Sequence, residues 1–170
     1  EPFRGTARPM NMGYAPDARP TAPDHVALTE DSSHRARREL HRLHRGVYVD
    51  PTVTLTATDR IRAAYLSAGP GAVVAGVSAQ FLHGVHYPDV DGDVEMIRDL
   101  RGQGRRRTGV RFLRTDRLAA DDVFEIDGLP VTTAVRTAYD LGRRQPDWLA
   151  LGHLDDLARS ADLDLGELWA

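Results

Sequence analysis

The sequence predicts an α+β fold, and three stretches in its first half indicate this. A short apolar strand is expected over 46–49, and a helix over 59–68 carries apolar residues at helical spacing. The stretch 72–83 begins as an apolar strand and continues into a short helix for which Ser78 is the expected cap. Strands and helices that follow one another in this way are typical of a mixed fold.

Proline and glycine set the breaks between these elements. Asp50-Pro51 ends the first strand, because proline has no N–H to give to a neighbouring strand. Gly69-Pro70-Gly71 ends the helix with a turn. These glycines do not form a nucleotide-binding motif, since both the Lys-Ser/Thr of a phosphate loop and the GxGxxG of a dinucleotide site are absent.

The second half of the chain continues with a hairpin and helices. Asp127-Gly128 is a hairpin turn signal, and a short strand over 129–131 is expected to follow it. Three helices are then expected, over 133–141, 147–159 and 163–169.

Two of the helices have candidate caps. Thr58 or Asp59 is expected to cap the helix over 59–68, and Thr132 or Thr133 the helix over 133–141. The inward face of this later helix is expected to hold Val135, Ala138, Tyr139 and Leu141.

Composition bounds the class of protein. A chain of 170 residues that is 41% apolar can bury one sizeable core, or one core with a small satellite. No run reaches the roughly eighteen apolar residues that a membrane span needs, and no signal peptide is visible. Cysteine is absent, which excludes disulfides and a thiolate nucleophile. We expect a cytoplasmic protein without a membrane partner.

The charges are strongly clustered, and all 22 basic residues are arginine. The first arginine block, 34–45, has five arginines against one acid, and the second, 98–117, has eight against two. Residues 121–170 have four arginines against eleven acids. Because the guanidinium fork suits phosphate and the guanine edge, two such blocks indicate nucleic acid. The alternatives are that arginine usage reflects a GC-rich genome and that charge runs are solvated faces.

The first block is expected to form a short helix over 34–43. Leu40 and Leu43 would seat it in the core, while the arginines form a cationic outer face. His41 and His44 have a spacing that a zinc site could use, but the sequence offers no third ligand nearby.

The second block is expected to lie in a hairpin. Strands over 93–97 and 109–114 flank a glycine-punctuated tip, and Gly102 and Gly104 precede three consecutive arginines. A phosphate-contacting wing and a solvated loop are the two interpretations of this tip. The wing is favoured by the excess of positive charge.

Four alternating carboxylates raise the possibility of a metal site at Asp89, Asp91, Asp93 and Glu95. The EF-hand register fails, because Val94 stands where glycine is needed and Leu100 where the bidentate glutamate belongs. A nuclease core of the restriction type would want a lysine near the carboxylates, and the chain has none. A turn that leads into the next strand is the favoured interpretation.

Three stretches follow one another in a familiar order and spacing: HRLHRGVYVDP, AAYLSAGPGAVVAGVSAQFLHGV and TGVRFLRTDRLAADDVFEIDGLPVTTAVRTAYDLGRR. Together they resemble actinobacterial proteins of the AbiEi antitoxin family, which belong to type IV toxin–antitoxin systems. RGVYV combined with DGLPVTT is the most specific part of the resemblance. It covers residues 41–170, and PFRGT at the start is also similar to many members.

The resemblance implies a winged-helix portion over 25–52, an AbiEi-like α/β domain over 53–170, and an extended arm over 1–24. Residues 6–33 lack the regular helix-turn-helix pattern of many members, and a proline-rich run replaces part of it. The resemblance also implies repression of the protein's own operon and neutralisation of a nucleotidyltransferase toxin. Many relatives continue into a very-short-patch-repair-like endonuclease domain. This chain stops before one, so no catalysis and no cofactor are expected.

The favoured function is thus a non-enzymatic DNA-binding regulator with double-stranded DNA as its partner. The residues expected to bind DNA are the arginines of the two blocks: Arg35, Arg37, Arg38, Arg42, Arg45, Arg101, Arg105, Arg106, Arg107 and Arg111. The runner-up is a protein-interaction module that neutralises a toxin through its acidic last third. A metal-dependent nuclease is the third alternative.

Overall fold

A computed structural model describes residues 29–30, 36–85, 92–98, 108–113, 118–144, 146–161 and 163. These residues form an α+β fold, as predicted. Its strands are β1 (Thr29–Glu30), β2 (His41–His44), β3 (Val47–Val49), β4 (Ala72–Val74), β5 (Val94–Arg98), β6 (Val110–Phe112), β7 (Val123–Ile126) and β8 (Leu129–Thr132). Its helices are α1 (Ala36–Glu39), α2 (Ala57–Ala68), α3 (Gly76–Leu82), α4 (Ala134–Gly142) and α5 (Asp147–Ala161). The expected arm over 1–24 and the helix over 163–169 lie outside these residues, apart from Leu163.

The first sheet is three-stranded and antiparallel, with the order β1-β3-β2. The expected strand over 46–49 is confirmed as β3, whose three residues are buried. The expected helix over 34–43 is wrong beyond Glu39, because His41–His44 pairs with β3. A two-residue turn at Arg45-Gly46, with Gly46 at φ +79°, lets the chain fold back on β3. Pairing with a fully buried strand outweighs the helical spacing of Leu40 and Leu43.

The second sheet is mixed and five-stranded, with the order β6-β5-β4-β8-β7. β4 is antiparallel to β5 and parallel to β8, and the β7–β8 pair is an antiparallel hairpin. The hairpin turn predicted at Asp127-Gly128 is confirmed, and both residues have the positive φ typical of a type I′ turn.

The hairpin expected over 93–114 is wrong, because β5 and β6 are parallel, with Val94 opposite Val110. Alternating apolar residues determine which face of a strand is buried, but the alternation is the same in either direction along the strand. A parallel pair cannot be closed by a tight turn, so the pairing of β5 with β6 excludes the predicted hairpin. The expected arginine tip lies mainly in residues 99–107, outside the described residues.

Helix α2 packs on the second sheet and forms the main core. Ile61, Ala64, Tyr65 and Ala68, which the sequence places on one helix face, are buried against strand residues that include Val74, Met96 and Val131. The helix begins earlier than predicted, because its cap is Thr56 rather than Thr58 or Asp59. Asp59 instead accepts a hydrogen bond from the Thr56 backbone N–H and so completes a capping box.

Helices α3, α4 and α5 share a second cluster formed by Val85, Ala138, Leu141 and Leu157. Thr133 caps α4, as expected, and α5 confirms the helix predicted over 147–159. Two expectations are wrong: α3 begins at Gly76, so Ser78 is not its cap, and Tyr139 is 53% exposed instead of facing inward. Among the described residues, no helix is long and apolar enough to cross a membrane.

Candidate nucleic-acid interface

The first arginine block lies on the outside of the small sheet. Arg38 in α1, Arg42 in β2 and Arg45 in the following turn all have exposed side chains. The Arg42 Nε–H donates to the carbonyl of His44 at 3.2 Å, which holds its stem along the strand. Arg35 and the side chain of Arg37 lie outside the described residues.

β2 is an edge strand with an irregular register, and this irregularity positions His44. His41 and Arg42 pair with Val49 and Tyr48, but His44 pairs with Val47, so Leu43 is an extra residue on the β2 side. Such a bulge bends the strand and re-aims the side chains beyond it. Exposed Arg42, half-buried His44 and exposed Arg45 consequently lie within one short edge.

His44 connects this edge to the second arginine block. Its ring Nδ1–H donates to the Thr108 carbonyl at 3.2 Å, across 64 residues of sequence. Thr108 directly follows Arg105, Arg106 and Arg107 in the chain. We call His44, Thr108 and Gly109 the seam, because they join the first arginine block to the middle of the second.

Burial lowers the pKa of His44, and the hydrogen bond to the Thr108 carbonyl offsets only part of this effect. The ring is therefore neutral at pH 7, with its proton on Nδ1. The seam is held by a neutral hydrogen bond and by packing, and the positive charge of the surface comes from arginine alone.

Gly109 makes the close approach at the seam possible. Its φ is +77°, and a Cβ at this position would lie 2.7 Å from His44 Cε1. A side chain here would be strained and would also push the imidazole out of the seam.

Arg111 is the one predicted DNA-binding residue of the second block whose side chain is described. It lies on β6, is 63% exposed, and has its Nη1 3.4 Å from the Oε1 of Glu95. Because Glu95 balances part of this charge, we expect Arg111 to bind phosphate less strongly than the arginines of the first block. Arg101, Arg105, Arg106 and Arg107 lie outside the described residues.

The sequence pattern did not predict the buried network around Glu95. The Glu95 Oε2 accepts hydrogen bonds from the Val77 N–H at 2.8 Å and from the Arg144 guanidinium. The Glu95 N–H donates to the Ser78 hydroxyl, and a Cβ on Gly76 would collide with the carboxylate. An acidic residue on a buried strand is the only sequence signal, and the distant Arg144 gives no sign of the pairing.

The metal interpretation of the alternating carboxylates weakens accordingly. Glu95 is occupied by arginine and backbone donors, Asp93 is exposed, and Asp89 and Asp91 lie outside the described residues. In the part of the chain that the structure describes, no group of three acids and histidines is arranged to hold a metal ion.

Charge is divided between the two edges of the larger sheet. β6, at one edge of the described strands, carries Arg111 and follows the seam. β7, at the other edge, is accompanied by exposed acids at Asp121, Glu125 and Asp127. The cationic surface around the seam is therefore separated from most of this acidic charge by the width of the sheet.

No protein-family model, no curated protein and no solved structure matches this chain.

Proposed function

We propose that this protein is a non-enzymatic, DNA-binding transcriptional regulator of the AbiEi antitoxin type, with a winged-helix-like portion over 25–52. The observation that carries the proposal is the seam, which brings the basic β2–β3 turn against the residue that directly follows Arg105–Arg107. Phosphate contacts would come from the exposed Arg38, Arg42 and Arg45 together with the arginines that precede Thr108.

The shape of the small sheet supports this proposal. A two-stranded antiparallel hairpin can lie in or beside a groove of duplex DNA, and Arg42 and Arg45 lie on and directly after the outer strand of the β2–β3 hairpin at the edge of the three-stranded sheet. Exposed arginines on a rigid, hydrogen-bonded edge lose less conformational freedom on binding than arginines on a free loop.

The test is fluorescence anisotropy across a salt series, using short duplexes from the upstream region of the gene and unrelated duplexes. Each phosphate contact contributes about −0.9 to the slope of log K against log salt, so roughly six to eight contacts give a slope of about −5 to −7. Replacing Arg105, Arg106 and Arg107 by Ala should flatten the slope by about 2–3 and weaken binding to all sequences alike.

A charge-matched pair of single variants separates this surface from overall charge. Arg45→Ala should flatten the slope by about 1, whereas Arg143→Ala, whose side chain is exposed at the end of α4, should leave it unchanged. Absence of binding by the wild type at low salt, or equal slopes for the two variants, would overturn the proposal.

The acidic edge favours a second candidate, a module that neutralises a basic toxin without binding DNA. Asp121, Glu125 and Asp127 are exposed beside an edge strand, where a cationic partner could approach. A stable complex with a nucleotidyltransferase toxin that is lost on changing these acids to Asn or Gln, together with no DNA binding, would favour this candidate.

A further inference from the structure

The outer face of α5 carries an exposed stripe that is apolar in its first half and charged in its second. Ala150 and Leu157 are buried on the inner face, whereas Trp148 is 74% exposed and Leu151 is 68% exposed. Trp148, Gly152, Asp155 and Arg159 recur at helical spacing on the side opposite Ala150 and Leu157, and Leu151 flanks them. A tryptophan and a leucine one turn apart and this exposed are typical of a contact surface.

The stripe is complementary to itself when its direction is reversed. In an antiparallel pair of helices centred between Leu151 and Gly152, each Leu151 lies over the Gly152 of the other copy. A Cβ on Gly152 would meet nothing within 4 Å, so the helix surface has a shallow gap there that can receive a leucine side chain. Small residues at a crossing point allow two helices to approach closely.

The next turn outward adds a polar match. In the same register, Trp148 of one copy lies opposite Asp155 of the other, so the indole N–H can donate to the carboxylate. Asp155 is already paired with Arg159 of its own helix at 2.5 Å, which balances its charge at the rim of the contact. In this register, Trp148 of each copy therefore faces Asp155 of the other, and Leu151 of each copy faces Gly152 of the other.

We propose that α5 pairs antiparallel with α5 of a second copy of this chain, centred between Leu151 and Gly152. The contact is isologous, so the same residues serve both copies. One pair of helices buries less than the roughly 1,600 Å² of a standard stable interface, and the dimer is accordingly weak and concentration-dependent. The inference does not rest on the proposed function, because it is tested without DNA.

Sedimentation velocity of the full chain over a concentration series measures the association. The wild type should shift reversibly from monomer to dimer, and Leu151→Arg should raise the dissociation constant by about tenfold or more, because it places two cations beside the two-fold axis. Tyr139→Ala is the matched control, since it removes another exposed aromatic residue from α4 and should leave association unchanged.

The orientation can be tested by cross-linking, because the chain has no cysteine of its own. Under mild oxidation, Trp148→Cys chains mixed with Asp155→Cys chains should form a disulfide-linked heterodimer. One Trp148–Asp155 contact remains intact in this heterodimer. Trp148→Cys chains alone should cross-link far less, because the two Trp148 positions lie at opposite ends of the pair.

Three results would overturn the proposal. These are a monomer at every concentration, a dimer that Leu151→Arg leaves intact, and preferential cross-linking of Trp148→Cys to itself. Circular dichroism of each variant shows whether it is folded, and exposed Leu151 gives no reason for its loss to unfold the chain.

Discussion

Gly109 is the residue on which the seam most directly depends. It combines a left-handed backbone conformation with a close contact to an imidazole, and either feature alone disfavours a side chain. Gly71 has nearly the same φ, +79°, and also directly precedes a strand, but a Cβ there would meet nothing within 4 Å. A substitution at Gly71 therefore introduces backbone strain alone, whereas one at Gly109 introduces the same strain together with a steric clash.

We expect Gly109→Ala to destabilise the protein more than Gly71→Ala. Both changes should cost about 1–2 kcal/mol of backbone strain. Gly109→Ala should cost about 1–3 kcal/mol more, because the new methyl group displaces His44. Urea unfolding of both variants measures the difference, and adding His44→Ala to Gly109→Ala should recover most of the excess. Equal losses for the two glycine variants would show that the seam contributes no steric constraint.

Arg136 and Tyr139 occupy the opposite of the positions that hydrophobicity alone would assign. Arg136 is 8% exposed, because it donates hydrogen bonds to Asp122 at 2.8 Å and to Asp140 at 3.1 Å. Tyr139 lies outside, with the guanidinium groups of Arg136 and Arg143 over its ring at 5.7 and 5.1 Å. An inward Tyr139 would make Tyr139→Ala strongly destabilising. Because the side chain is exposed, we do not expect a large loss of unfolding free energy.

Among the elements, α2 depends on a cap that lies outside the predicted helix. The Thr56 side chain accepts a hydrogen bond from the Asp59 N–H at 3.2 Å, and the Asp59 Oδ2 accepts one from the Thr56 N–H at 2.9 Å. Together they satisfy two backbone donors at the start of the helix that packs on the main core.

We expect Thr56→Ala to cost about 1 kcal/mol of unfolding free energy, because the helix loses its N-cap. Thr58→Ala, at the second residue of α2, should change stability little and so serves as the control. Thermal unfolding of the two variants distinguishes them, and Thr56→Ser should restore most of the loss. A larger loss for Thr58→Ala would show that the cap was assigned to the wrong threonine.

Local signals predicted most elements of the fold from the sequence. Asp127-Gly128 and Thr133 act through neighbouring residues only, so their turn and cap could be predicted. The strand nature of β2 depends on its pairing with the buried β3, and the parallel direction of β6 depends on its pairing with β5, and periodicity encodes neither. The exposed arginines could be predicted from charge, but His44 could not, because its partner Thr108 is 64 residues away.

For the whole molecule, three half-buried histidines link stability to pH. Burial lowers the pKa of His44, His83 and His153, and Arg144 lowers that of His153 further. The unfolded chain takes up protons near the ordinary value of 6.5, whereas the folded protein does so only at lower pH. The full stability is therefore present above about pH 6.5 and is lost as the pH falls toward the lowered values.

Urea unfolding at about pH 7.5 and about pH 5.5 should show lower stability at the acidic pH. The His83 ring donates to the Thr132 carbonyl at 2.9 Å and stacks on Phe124, so His83→Gln should reduce both the stability and its pH dependence. Stability that is equal at the two pH values, or greater at the acidic one, would contradict the assignment of neutral histidines.

His44 and Thr108 are 64 residues apart in the chain, so the seam can form only late in synthesis of the protein. His44 leaves the ribosome well before Thr108, so a nascent chain presents its basic β2–β3 turn without the partner that orients it. Contacts between distant residues also form late in folding, because a long loop must close first. A surface that spans the seam is therefore completed only after Thr108 has been made and β6 has joined its sheet. Until then, the growing chain carries the arginines of the first block without the contact that joins them to the residues around Thr108.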